Sequence, residues 1–407
     1  MKTAIARKIF HNVLGDIVNG HLVINYISSG KRYEFGDPAK EPSGMMNITD
    51  DSLIYEILTQ GEFALGMGYV NGKWKSPSMY LVLLVFMLNE ERFRRLNARF
   101  SRIDIRARLL RKRIRRRTQN TLENCRREVG VTYGIGNDFY EMMLGPSMNY
   151  SCAIWPRPDA TLEEAQEYKM RLITRKAKIE KKNSVLEIGC GWGTLTNFIS
   201  STTGARVKGI ALCDEQIRYC KEKYPQLDFE YLDYREIKGT YDSIVSVGMA
   251  EHVGRPYMDS FIKIVADHLR EGGRFVLHTM IYHGVDLFMS GGTEKHLNFS
   301  SVLMPNADSP TPSQVVKSAL RSGLLRLLHY DTFGIHYTRT AQEWLKNMQK
   351  NRNEILKRYP EKLYRSHEYS WQMGGAAMET GTSLAQMVFE KMPYGSPLSD
   401  ISVYSAW

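Results

Sequence analysis

At 407 residues the chain is long enough to bury a full-sized core and to hold one large domain plus a smaller one. Its 43% hydrophobic and 24% charged residues are an ordinary globular balance, which excludes collagen-like, disordered and disulfide-scaffold classes. The net charge of +11 favours anionic partners, and its distribution is more telling than its size. Cys125, Cys152, Cys190, Cys213 and Cys220 are odd in number and lack metal-ligand spacing. Free thiols in a reducing compartment, and no bound metal, are expected.

In chain order, Ile5, Ile9, Phe10, Val13, Leu14, Ile17 and Val18 fall at helical spacing and predict an amphipathic opening helix. Arg7, Lys8 and His11 interrupt the apolar core that a secretion signal would need. A segment punctuated by Gly61, Gly66, Gly68 and Gly72 follows, around Phe63, Tyr69 and Trp74. The longest apolar run, 79–88, is about half the ~20 residues of a spanning helix, so a cytoplasmic protein that does not cross the membrane is expected. Residues 106–117 (RARLLRKRIRRR) then pack basic side chains around Leu109, Leu110 and Ile114. Such a stretch suits phospholipid headgroups or nucleic acid, with a solvated helix or linker as the alternative. The predicted organisation is a substrate- and membrane-binding domain with a basic junction at 1–118 and a catalytic domain at 119–407.

From about residue 160 helix and strand alternate. Helices are predicted over 162–179, 194–200, 214–223 and 257–269, and strands over 184–188, 206–211, 228–232, 243–247 and 274–279. Helices at 341–359 and 361–377 and a strand-like run at 384–389 complete the pattern. The Gly-, Ser- and Pro-rich region 282–325 reads as an insertion over the site. The fold class is therefore α/β, with a doubly wound, largely parallel sheet.

Val185-Leu-Glu-Ile-Gly-Cys-Gly-Trp-Gly193 is the strongest local signal. A buried strand enters a tight turn whose Gly189, Gly191 and Gly193 allow a ligand to approach the backbone closely. The spacing is neither the dinucleotide fingerprint nor a P-loop. With Glu187 before the turn, it resembles the first motif of class I methyltransferases, whose glycines pass beside the methionine part of S-adenosylmethionine. That resemblance places Asp233 near the adenine. Gln216 stands where the ribose acid is usual, with a solvated helix-start residue as the alternative.

Four more segments sharpen the reading: Gly136-Asn-Asp-Phe-Tyr140, Leu144-Gly-Pro-Ser-Met-Asn-Tyr-Ser-Cys-Ala153, Ser246-Val-Gly-Met-Ala-Glu-His-Val-Gly254 and Leu277-His-Thr-Met280. Together they resemble the cyclopropane-fatty-acid synthases and the related mycolic acid cyclopropane synthases. Gly66-x-Gly-Tyr-x-x-Gly-x-Trp74 resembles the N-terminal domain of the phospholipid-acting members. The resemblance implies methylene transfer across the double bond of an unsaturated acyl chain, through a carbocation deprotonated by bound bicarbonate. It implies Cys152, Glu251, His278, Met280 (through its backbone) and Tyr337 around that anion, and Tyr133, Tyr150 and Ser151 along the cofactor. A buried anion needs such hydrogen-bond donors. Unsaturated phospholipids at an anionic membrane surface are the expected partners, without nucleic acid. Self-association as a dimer and a peripheral location on the inner face of the cell membrane are also expected.

Taken singly, Cys152 also reads as a small buried hydrophobe, Glu251-His252 as a helix cap and His278 as a core histidine. The chain departs from the family at Thr132-Tyr133-Gly134, where His-Tyr-Asp is usual, and at Leu303-Met-Pro-Asn-Ala307. No cysteine follows Cys220, where many members carry one near the C-terminus. These departures leave a rival outcome open: a methyl-branched or methylene lipid, or methylation of a small amine.

Overall fold

The computed structural model describes residues 2–90, 121–283, 299–304 and 308–393. The basic stretch 106–117 and Pro305, Asn306 and Ala307 of the altered loop lie outside them. The chain divides into two compact units. One comprises Met1–Gln119, Gly284–Pro305 and Trp344–Gly381; the other comprises Asn120–His283, Asn306–Glu343 and Thr382–Trp407. The first unit thus takes residues 344–381, which the two-domain reading placed in the second.

In the first unit, helix Lys2–Leu14 turns Ala6, Phe10 and Leu14 inward at i, i+4 and i+8. Ile5 and Val18 are exposed, so the buried stripe is narrower than the periodicity predicts. Strands β1 (His21–Tyr26), β2 (Lys31–Gly36), β3 (Ser43–Ile48) and β4 (Trp74–Lys75) form a sheet in the order β2-β1-β3-β4. The apolar run 79–88 is a buried helix, Met79–Leu88, whose Val82, Leu83 and Val85 share one core with Tyr26 and Ile48. Gly66 and Gly68 sit inside helix Glu62–Val70 rather than in turns. A Cβ at Gly66 would lie 2.2 Å from the Phe299 ring and one at Gly68 2.4 Å from Leu53, so close packing demands both.

The second unit contains β5 (Ser184–Ile188), β6 (Arg206–Ala211), β7 (Asp228–Tyr231), β8 (Tyr241–Val247), β9 (Leu269–Tyr282), β10 (Leu325–Thr332) and β11 (Thr382–Lys391). They form a seven-stranded sheet in the order β10-β11-β9-β8-β5-β6-β7. β5 pairs in parallel with β6 on one side and β8 on the other, which makes its C-terminal end the switch point where such sheets bind ligands. β11 runs antiparallel to both β9 and β10.

Alternate residues of the strands build two core layers. Leu186, Ile188, Ile244, Phe275 and Leu277 pack with Phe261, Ile262 and Val265 of helix Met258–His268. Val185, Val245, Val276 and Val388 pack with Met170 and Ile173 of helix Leu162–Lys176 and with Leu195 and Ile199 of helix Thr194–Thr203. The doubly wound arrangement is as expected.

Region 282–325, read as an insertion, holds helix Pro312–Ser322, opened by a capping box between Thr311 and Gln314 with Pro312 in the first turn. The helix expected at 341–359 is two, Gly334–Lys350 and Arg352–Arg358. The first starts early enough to include Tyr337, although β-branched and aromatic residues there weaken the helical signal. Among the described residues no helix is long and apolar enough to cross a membrane.

Candidate active site

The glycine turn follows β5 at the switch point. Gly189, Gly191 and Gly193 have φ of 85°, 52° and 78°. A Cβ at Gly189 would meet Met249 at 2.8 Å, and one at Gly193 would meet Phe229 and Cys220 at 2.8–2.9 Å, so protein packing explains both. At Gly191 a Cβ would meet nothing within 4 Å. That is the place where a ligand can rest on the backbone.

The upstream segments wrap this turn. Asn137 Oδ1 accepts a 2.8 Å bond from the Trp192 indole, and Thr194 Oγ1 donates to Ser147 O at 2.7 Å. Trp192, Tyr140, Tyr150 and Tyr133 form an aromatic cluster with centroids 4.7 Å apart for Tyr140 and Trp192 and 5.9 Å for Tyr133 and Tyr150. The Tyr133 hydroxyl is 3.0 Å from His252 Nε2, and burial pushes that imidazole down to about 4, so it stays neutral. Glu187 is buried inside β5 with its carboxyl on the Thr196 hydroxyl, and burial pushes it up to about 8. Gln216 is buried near the start of helix Asp214–Lys223. Asp233 lies two residues beyond β7, with its carboxylate gripped by Arg235 at 2.6 and 2.7 Å.

A second group gathers beside the aromatic cluster. Glu251 Oε1 accepts a 2.6 Å bond from the Met280 backbone N–H, while Glu251 Oε2 is buried without a hydrogen-bond partner. Burial raises the Glu251 pKa. Tyr337 lies close to Cys152, Glu251 and Tyr133, and burial first, then these groups, raise its phenol well above the ordinary value. Thr340, one turn beyond Tyr337, accepts a 3.1 Å bond from Ala153 N and so ties the Cys152 segment to helix Gly334–Lys350. Burial pushes the Cys152 thiol up to about 12. His278 is fully buried on β9 with Nε2 unpartnered, and burial holds its pKa well below 6.5. The phenol, thiol and imidazole are neutral donors, and with the raised carboxyl of Glu251 they suit a buried anion.

Lys169 underpins this set. Its Nζ donates to Ser151 Oγ and Gln166 Oε1 at 2.7 Å and to Asn149 Oδ1 at 3.3 Å. Lys169→Met should cost about 2–5 kcal/mol of stability, because it strands three buried acceptors. Burial takes the Lys169 pKa from 10.5 down to about 7. Between those values the unfolded chain holds a proton that the folded chain has released, so this residue makes stability rise with pH across that window. Urea midpoints should therefore show the advantage of the wild type over Lys169→Met widening from about pH 7 to about pH 9.

The family described as mycolic acid cyclopropane synthetase matches residues 120–384. The chain belongs to this family. Among its relatives in the synthetase family, the cyclopropane-fatty-acyl-phospholipid synthase of Escherichia coli (strain K12) is 33% identical over 262 residues, which is 64% of this chain and 66% of that protein. Sphingolipid C9-methyltransferase 2 of Gibberella zeae is 34% identical over 250 residues, covering 58% of this chain and 47% of that one. The solved cyclopropane synthase of Mycobacterium tuberculosis superimposes with a TM-score of 0.60 at 25% identity, over 65% of this chain and 98% of its own. Structural neighbours such as coclaurine N-methyltransferase, at 20% identity and a TM-score of 0.54, share the class I methyltransferase fold.

Sequence reasoning about this synthetase-family chain missed the supporting layer. Lys169, Gln166 and Lys176 lie on the buried stripe of helix Leu162–Lys176, among Leu162, Ala165, Met170 and Ile173. Polar residues at apolar positions of an amphipathic helix were the available signal. Gln386, inside the apolar run of β11, carried none.

Proposed function

We propose that the protein transfers one carbon from S-adenosylmethionine across the double bond of an unsaturated phospholipid acyl chain, closing a cyclopropane ring. The reading rests on one observation: Glu251 Oε2 and His278 Nε2, two buried polar atoms without partners, belong to the residues the family resemblance assigns to bicarbonate. When bound, S-adenosylmethionine supplies an electrophilic methyl and bicarbonate supplies the base. The chain itself does the rest. The Gly191 backbone leaves room for the co-substrate, and the rings of Tyr133, Tyr140, Tyr150 and Trp192 form an electron-rich wall suited to a sulfonium. With Oε1 held by the Met280 N–H, Glu251 keeps Oε2 for exchanging a proton with the bound anion. Cys152, Tyr337 and His278 add neutral donors.

Work at an anionic membrane surface, as a peripheral protein, is part of the same proposal. The charge of +11 and the basic stretch 106–117 support it. A second reading, methylation without ring closure, is favoured by the relatives named sphingolipid C9-methyltransferase. Bicarbonate separates the two. Turnover on vesicles of unsaturated phospholipid should fall at least about tenfold in carbonate-depleted buffer and return on adding bicarbonate. Indifference to bicarbonate would remove the ring-closing mechanism.

A further inference from the structure

Across three neighbouring strands, His278 of β9, Gln386 of β11 and Asp331 of β10 stand directly opposite one another. Val276 and Val388, two residues from His278 and Gln386, pack in the layer of helix Leu162–Lys176, so the two side chains emerge on that face. Lys176, at the end of this helix, places Nζ 2.7 Å from Gln386 Oε1 and 2.5 Å from Asp331 Oδ2. Gln386 Nε2 lies 3.1 Å from His278 Nδ1. Lys176, Gln386 and His278 are all fully buried.

The donor and acceptor inventory leaves one arrangement. Lys176, ion-paired with Asp331, is an ammonium and has donors only. The amide oxygen of Gln386 must therefore face it, and the amide NH2 must face His278. An NH2 group only donates, so Nδ1 presents its lone pair and the single ring proton sits on Nε2. An imidazolium would set an N–H against the amide hydrogens.

We propose that Gln386, oriented by Lys176, is a positioning residue that fixes His278 as the Nε2–H tautomer. His278 is then a hydrogen-bond donor toward what binds there, and not a base. The ligand atom it meets is an acceptor, as in an oxyanion or a carbonyl. The consequence for catalysis rests on the anion-site reading; the tautomer does not.

Long-range proton–nitrogen spectra of the full-length protein carrying isotope-labelled histidine can decide this. His278, one of ten histidines, is identified by the signals missing from His278→Asn. The wild type should show the Nε2–H pattern. In Gln386→Glu, where a carboxylate can accept from Nδ1–H, the pattern should invert. The same variant should lower kcat about 10- to 100-fold, with KM for S-adenosylmethionine changed less than about twofold, as for other partners that orient a functional histidine. An Nδ1–H pattern in the wild type overturns the proposal, and that measurement stands even if Gln386→Glu fails to fold. An inverted tautomer with unaltered kcat overturns the positioning role. A correct tautomer in an enzyme indifferent to bicarbonate leaves the assignment standing and removes the anion-site reading instead.

Discussion

Glu251→Gln should slow turnover by about 10²- to 10⁴-fold, the range spanned by positioned acid–base groups. The substitution is mild by design. An amide keeps the acceptor for the Met280 N–H and a donor in place of Oε2, so the local hydrogen bonds survive. What it removes is a group that can take up and release a proton, in a place where burial raises the carboxyl pKa. Affinity for S-adenosylmethionine, measured by calorimetry, should change less than about threefold, because the loss falls on the chemical step. Tyr337→Phe should act in the same direction. Turnover like that of the parent in Glu251→Gln would show that this carboxyl serves only as a donor.

Gly191→Val should reduce affinity for S-adenosylmethionine at least about 100-fold, equivalent to ~2.7 kcal/mol. With φ at 52° and no protein atom within 4 Å of its missing Cβ, Gly191 is the glycine of the turn that packing does not explain. A valine there fills the space left for the ligand and adds backbone strain of about 1–2 kcal/mol. The fold should tolerate that cost, so circular dichroism should be unchanged while the melting temperature falls by a few degrees. Calorimetry showing parental affinity would move the cofactor away from this turn.

The parts of the fold that were legible are those in which local pattern and tertiary environment agree. β5, β6 and helices Asp214–Lys223 and Glu361–Ala377 have the bounds that periodicity predicts. The strands alternate residues between two apolar layers, and Gly189 punctuates the end of β5. β10 was missed because Arg326, His329 and Asp331 make its sequence polar on the half-exposed edge of the sheet. The glycine turn and the segments beside it were legible as motifs. The row of His278, Asp331 and Gln386 was not, since it arises from strand register among residues distant in the chain. Asp233 was legible as an acid beyond β7, yet its grip on Arg235 shows only in three dimensions.

The central claim is the product. The protein should be expressed in a host that makes no cyclopropane lipids, and its total phospholipid analysed by mass spectrometry before and after hydrogenation. Acyl chains heavier by one CH2, without a double bond and unchanged by mild hydrogenation that saturates alkenes, are the expected result. Chains that gain CH2 but still take up hydrogen would identify a methylene or methyl-branched alkene and contradict ring closure, and lipids identical to those of the host would contradict action on phospholipid acyl chains.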